Sequence, residues 1–318
     1  MDITVILLLA ASGALLIPLL GGEGDSEDDD EIRGTFGPDD PLEGTEGDDL
    51  IRGFLGDDVI NGNGGDDEIR PGEGDDIVDG GAGDDNILGS PGADVLFGGD
   101  GNDRISGGAD DDEIDGGADA DFIAGGAGND LIFGGYGSSG DGAPMQEELR
   151  GDDGDDTIFI WGEDGLARGG PDNDELVLVT GEATLRADGG TDDVFYVLAN
   201  ESDDQETHAR IPDFDPTRDT LVMTVDHISD DGDPYGPFDV RIFNGFEDGV
   251  SGVRIVVGFD EDDLDIPDSY EGSSAFLVGL TVDQLDPDNI EVVLTTEADL
   301  EQPQVTLAAV KSVLAGAP

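Results

Sequence analysis

The chain has 318 residues, with 12 Lys and Arg set against 80 Asp and Glu, a formal net charge of −68 and a pI near 4.1. Such a polyanion repels phosphates and has almost no basic side chains, which excludes a nucleic-acid partner. Self-repulsion on this scale swells a compact chain, so either cations offset the acid or much of the chain is disordered.

No cysteine is present, so disulfides and thiolate metal sites are excluded, and His208 and His227 are too few for a multi-histidine zinc or iron centre. The carboxylates are oxygen donors, which suit hard cations such as calcium.

The first element is the uncharged apolar run ITVILLLAASGALLIPLL, residues 3–20. A helix of that length, at about 1.5 Å per residue, just crosses a hydrocarbon core of ~30 Å. No basic residue precedes it, which departs from a standard signal peptide. It reads equally as an uncleaved membrane anchor and as an atypical or cleaved signal. Residues 21–43, including GEGDSEDDDE, read as a solvated acidic linker.

From Gly44 the chain falls into nines: GTEGDDLIR, GFLGDDVIN, GNGGDDEIR, PGEGDDIVD, GGAGDDNIL, GSPGADVLF, GGDGNDRIS, GGADDDEID, GGADADFIA and GGAGNDLIF. Position six is always Asp: Asp49, Asp58, Asp67, Asp76, Asp85, Asp94, Asp103, Asp112, Asp121 and Asp130. Position eight is always Ile, Val or Leu, from Ile51 to Ile132. Position four is Gly except at Asp110 and Asp119. Residues 134–150, GGYGSSGDGAPMQEELR, break the phase and read as a degenerate coil or a surface loop. The phase resumes at Gly151 in a weaker form that keeps Asp156, Asp174 and Asp192 but has Gly165 and Thr184 at the alternate turns.

Residues 196–296 alternate apolar stretches such as DTLVMTV and GVRIVVGF with Asp/Gly/Pro turns, and read as the short strands of a second unit. The tail, residues 297–318, contains a mildly amphipathic stretch that reads as a short helix. No H-E-x-x-H or G-x-S-x-G motif is present, so no zinc protease or serine hydrolase is expected. Trp161 is expected to pack on the fold. His208 and His227 are expected in surface or capping roles.

The repeat has a physical reading. Glycines at positions one, two and four permit a sharp turn, positions seven to nine form a short strand, and position eight offers one apolar side chain to an interior. Two units make one coil, and each turn stacks on the turn 18 residues away. An aspartate from one turn and carbonyls from its stacked neighbour can then enclose a cation. In residues 151–195 the surviving aspartates share one edge, and the other edge is held by packing of Trp161, Leu166 and Leu185.

The pattern GGxGxDxUx, with U a large aliphatic, resembles the RTX (hemolysin-type) calcium-binding repeats; GGAGDDNIL, GGDGNDRIS and GGAGNDLIF match it fully. This resemblance covers residues 44–133 strongly and 151–195 weakly. It implies an all-β fold: a parallel β-roll spanning 44–195, with the N-terminal hydrophobic segment ahead of it. It also implies that the position-six aspartates are ligands for several Ca2+ ions. IPDFDPTRDTLVM resembles the strand-rich module that follows such rolls, which implies that residues 196–296 cap the roll. The implied setting is a bacterial extracellular or cell-surface protein exported by a type I secretion apparatus guided by the tail. Membrane anchoring would act through residues 3–20. The alternative function is a calcium-dependent enzyme acting on a matrix polymer, with its site outside the regular repeats.

Overall fold

The computed structural model describes residues 31–295 except 39–40, 136–146, 191, 199–206, 227–237, 248, 260–271, 282–283 and 286–289. The hydrophobic segment 3–20, the C-terminal tail and His227 lie outside the described residues.

The repeats form β1 (Glu31–Arg33), β2 (Leu42–Glu43), β3 (Leu50–Leu55), β4 (Val59–Asn61), β5 (Glu68–Glu73), β6 (Ile77–Ala82), β7 (Asn86–Pro91), β8 (Val95–Asp100), β9 (Arg104–Ala109), β10 (Glu113–Ala118), β11 (Phe122–Ala127) and β12 (Leu131–Phe133). They pair in parallel with the next strand but one. Odd strands make one ladder and even strands the other, as in Ile51 opposite Ile69 and Ile114 opposite Ile132. From β2 to β12 paired residues are 18 apart, so one coil is two nine-residue units. The fold is an all-β parallel β-roll.

The strands are longer than the expected triplet. They run from position seven into position three of the next unit, and the pairing skips position one: Arg52 opposite Arg70, then Phe54 opposite Gly72. Triplet and turn are therefore joined by a bend at position two, where Phe54, Asn63 and Ser90 have φ of 88°, 73° and 86°. Asp110 and Asp119 at position four take φ of 80° and 73°, so they keep the left-handed turn of the glycines they replace. Aspartate is among the few side chains that tolerate this region.

Because successive strand residues face opposite sides, position eight alone enters the interior from each triplet. Ile51, Ile69, Ile87, Ile105 and Ile123 form one stacked column; Ile60, Val78, Leu96, Ile114 and Ile132 form the other, and all are buried. The roll also begins earlier than the repeat. β1, inside the segment expected to be a solvated linker, pairs with β3 so that Ile32 lies opposite Ile51 and packs on the column.

The second half holds β13 (Glu148–Asp153), β14 (Thr157–Arg168), β15 (Glu175–Arg186) and β16 (Val194–Val197). β13 pairs with β11 at a spacing of 26, Ile123 opposite Leu149, which is eight more than 18. Residues 134–150 are thus one unit lengthened by eight residues, rather than a shortened pair of units. β14 and β15 are twelve residues long and belong to both ladders. Ile158 lies opposite Ile132, and Ala167 lies opposite Leu149.

Beyond residue 196 come β17 (Thr207–Ile211), β18 (Thr220–Asp226), β19 (Phe238–Glu247), β20 (Val250–Phe259), β21 (Gly272–Val278) and β22 (Ile290–Thr295). Both ladders continue in parallel, β15–β17–β21 and β16–β18–β22, and the buried core runs unbroken from Ile51 to Leu277. The antiparallel pair β19–β20 is added against β21. Among the described residues, no helix is long and apolar enough to cross a membrane.

Candidate metal centre

Each turn delivers its position-six aspartate to a stack running along the roll. On one edge the backbone N–H of Asp49 donates to Oδ1 of Asp67 (2.7 Å), and the pattern repeats through Asp85, Asp103 and Asp121. On the other edge it runs from Asp58 through Asp76, Asp94, Asp112, Asp130, Asp156 and Asp174 at 2.8–3.0 Å. The expected stacking of Asp156 on Asp174, 18 residues apart on one edge, is present.

Oδ1 is thereby occupied by the coil before. Oδ2 of Asp67, Asp76, Asp85, Asp94, Asp103, Asp112, Asp121, Asp130, Asp156 and Asp174 is buried and accepts no hydrogen bond. A buried carboxylate oxygen in that state is costly unless something cationic meets it. Position one shows what lies nearby. A Cβ on Gly80 would sit 2.5 Å from Oδ2 of Asp85 and 2.6 Å from the carbonyl oxygen of Gly98, one coil on. At Gly89 the corresponding atoms are Oδ2 of Asp94 and the oxygen of Gly107, both at 2.5 Å. At these two positions glycine leaves the space open, and carboxylate and carbonyl oxygens converge on it. Among the described residues no three His, Cys, Asp or Glu side chains gather at one point, so any ion held here must take backbone carbonyls as well. This oxygen-only, backbone-assisted donor set fits a hard cation.

Burial dominates the electrostatics, with neighbouring carboxylates adding to it and the backbone donors opposing it. Asp67, Asp94, Asp103, Asp112 and Asp156 are pushed up to about 7. Asp76, Asp85 and Asp130 rise to about 6, and Asp121 and Asp174 to about 8. The shifts express how poorly the ion-free coils tolerate their own charge.

Asp192 requires a correction. The backbone N–H of Asp174 donates to Oδ1 of Asp193, 19 residues on, and Asp193 is buried while Asp192 is exposed. The slip follows from the core. Phe195, opposite Leu176, is the inward residue, and a one-residue shift exchanges the faces of a strand. Burying Phe195 in place of Val194 removes more apolar surface from water and moves the buried carboxylate to Asp193. Asp219 continues the stack: the N–H of Thr220 donates to the carbonyl of Asp193, and Asp219 is buried.

Two further features escaped the sequence reading. Position five forms an outer, exposed stack of opposite sense, in which Oδ1 of Asp48 accepts from the N–H of Asp66, and Oδ1 of Asp66 from that of Asp84. Asp192 belongs to the corresponding stack on the other edge, its N–H donating to Asn173. Glu147 occupies the position-six place of the lengthened unit, because Glu148 lies opposite Phe122, and it is buried. The clue was the pair Gly134–Gly135 and the aliphatic Leu149, obscured by the extra residues.

The opposite edge of the second half carries no position-six aspartate. There β14 and β15 run straight through the place of a turn, and Ile160, Leu178 and Leu185 are fully buried. Trp161 packs on Phe159 and Phe133, with ring centroids 6.1 and 6.4 Å apart. Trp161 and Leu166 are half-buried. His208 is half-buried on β17, with Nδ1 2.6 Å from Ser274 Oγ and Nε2 3.1 Å from Glu247.

Stacked coils with two edges of buried, cation-seeking carboxylates define a calcium-binding β-roll. Residues 39–138 match the RTX calcium-binding nonapeptide repeat in four copies, 39–69, 70–105, 88–123 and 106–138, of which the last three overlap. These residues are RTX repeats. Among solved structures, the chain matches the solution structure of the AlgE6R3 subunit from the Azotobacter vinelandii mannuronan C5-epimerase. Identity is 21%, over 69% of this chain and 78% of that one, with a TM-score of 0.17. The assignment of the roll rests on the pairing described above. No curated protein matches the chain.

Proposed function

We propose that this is an extracellular or cell-surface bacterial protein whose roll folds by taking up several calcium ions along its two carboxylate edges. The ligands are Asp49, Asp67, Asp85, Asp103 and Asp121 on one edge, and Asp58, Asp76, Asp94, Asp112, Asp130, Asp156, Asp174 and Asp193 on the other. Turn carbonyls complete each site. The observation that carries this reading is the run of buried Oδ2 atoms without a hydrogen-bond donor, one per coil on each edge. An ion that binds only the stacked form stabilises it by mass action. Sites of extracellular type hold calcium at about 10⁻⁴ to 10⁻³ M. The chain is then unfolded in the cytosol and folds after passing a type I export channel, with residues 196–296 closing the roll's end.

Far-UV circular dichroism of the full chain in calcium and in chelator tests this. Calcium should raise the β signal sharply, and magnesium at equal concentration should not, since it demands strict octahedral geometry. A chelated chain with its full β signal above about pH 8, where the carboxylates are ionised, overturns the reading. Export is tested by removing residues 297–318, which should leave the chain inside the cell. If removing residues 1–20 alone blocks export, the N-terminal segment is the signal instead.

A further inference from the structure

Glu147 differs from the stack that it ends. Each aspartate beneath it from Asp67 to Asp121 gives Oδ1 to the N–H of the coil before and keeps Oδ2 open. Glu147 is 2% exposed, and both its carboxylate oxygens are without a hydrogen-bond partner. Its place matches that of the regular aspartates, except that Cδ1 of Leu149, rather than a carbonyl oxygen of the next coil, is the other atom beside Gly134. A Cβ on Gly134 would meet Oε2 of Glu147, as one on Gly80 meets Oδ2 of Asp85. The carbonyl oxygen of Gly134 and Oδ2 of Asp121 approach the same point off Gly116. Asp121 Oδ2 and the Gly134 carbonyl oxygen thus lie off Gly116, and Glu147 Oε2 lies off Gly134, the next position-one glycine on the same edge.

Among the described residues no cationic side chain is paired with this carboxylate. Arg150, the nearest arginine in sequence, is directed at Glu148. The next coil on this edge presents Gly165. The charged neighbour of Glu147 is Asp121, of like sign, and burial followed by that repulsion raises the glutamate to about 8.

We propose that Glu147 is a calcium ligand of a second kind, closing a site against Asp121 and Gly134 with both carboxylate oxygens. The inference rests on calcium occupying the position-six stacks. It places the last ion of this edge beyond residue 138, where the match to the RTX repeat ends. The longer side chain supplies the two-oxygen grip that glutamate gives calcium in other oxygen-ligand sites. It also explains why an edge about to lose its turns ends in a glutamate: with no further coil to supply an aspartate, one residue must contribute more.

Calcium counting on the full chain by isothermal titration decides the matter, with D85N as the reference. E147Q keeps size and shape, and should bind one ion fewer and need more calcium to reach the same β signal. D85N should likewise lose an ion. If D85N loses an ion and E147Q does not, Glu147 is a buried neutral acid and the inference fails while the calcium reading stands. If neither loses an ion, both fail. Should E147Q not fold even in excess calcium, two variants settle it. E147D folding with the full ion count supports the inference, and E147L folding with the full count overturns it.

Discussion

Ile114→Ala measures how packing and ion uptake are linked. Ile114 is fully buried, stacked between Leu96 and Ile132 in one column. Truncation to Ala removes about three carbons at ~0.8 kcal/mol each, and the residual cavity raises the cost to roughly 2–5 kcal/mol. Where folding requires calcium, this loss appears as a higher calcium midpoint. Each tenfold rise in calcium contributes ~1.4 kcal/mol per ion taken up. A loss of ~3 kcal/mol would therefore move the midpoint ~140-fold if one ion were coupled to folding, but only ~1.6-fold if about ten entered together. Calcium titrations followed by circular dichroism should give a shift near twofold, with the ion count unchanged. Leu88→Ala, on the outer face at 43% exposed, should leave the midpoint in place. An I114A midpoint equal to the wild type would refute the column as a source of cohesion. A lost ion would refute the separation of core from ligands.

Acid should stand in for calcium. Burial pushes the stacked aspartates from Asp67 to Asp174, and Glu147, up to about 6 to 8. A carboxyl raised on folding contributes stability that is fully present below its unfolded value and lost as pH climbs through its folded one. In chelator, the β signal should thus be strongest at about pH 4 and below and disappear between about pH 6 and 8; a chelated chain that gains β signal on going alkaline contradicts this. The assignment at the end of the stack is tested by two neighbours. D193N should lose a calcium ion by titration calorimetry, and D192N should not, with the reverse result restoring the unshifted register.

The nine-residue period and the 18-residue stacking were legible because position eight stays aliphatic and position six stays Asp through ten units. What failed was local. In TDDVF two aspartates precede two apolar residues, so the sequence supports both registers, and only the larger area of Phe195 against Leu176 selects one. Glu147 was hidden because the lengthened unit destroys the phase and the residue type changes. The strands' reach into positions one to three was also invisible. Glycines carry no pattern, and those residues pair through backbone groups whose partners lie a coil away. Glu31–Arg33 looked solvated by composition, yet pairing needs only backbone groups and one inward Ile32.

A periodic chain has a counting problem. Any coil between Asp49 and Asp130 offers its neighbours nearly the same donors, acceptors and aliphatic side chain, so pairing displaced by 18 residues would cost little locally. The lengthened unit and the paired long strands β14 and β15 have no such equivalents. They act as index marks: once β14 lies on β15, every coil before them has one address only. Deleting one pair of units, residues 80–97, should therefore shorten the roll without altering how the rest align, whereas moving the lengthened unit by two units should renumber the stack.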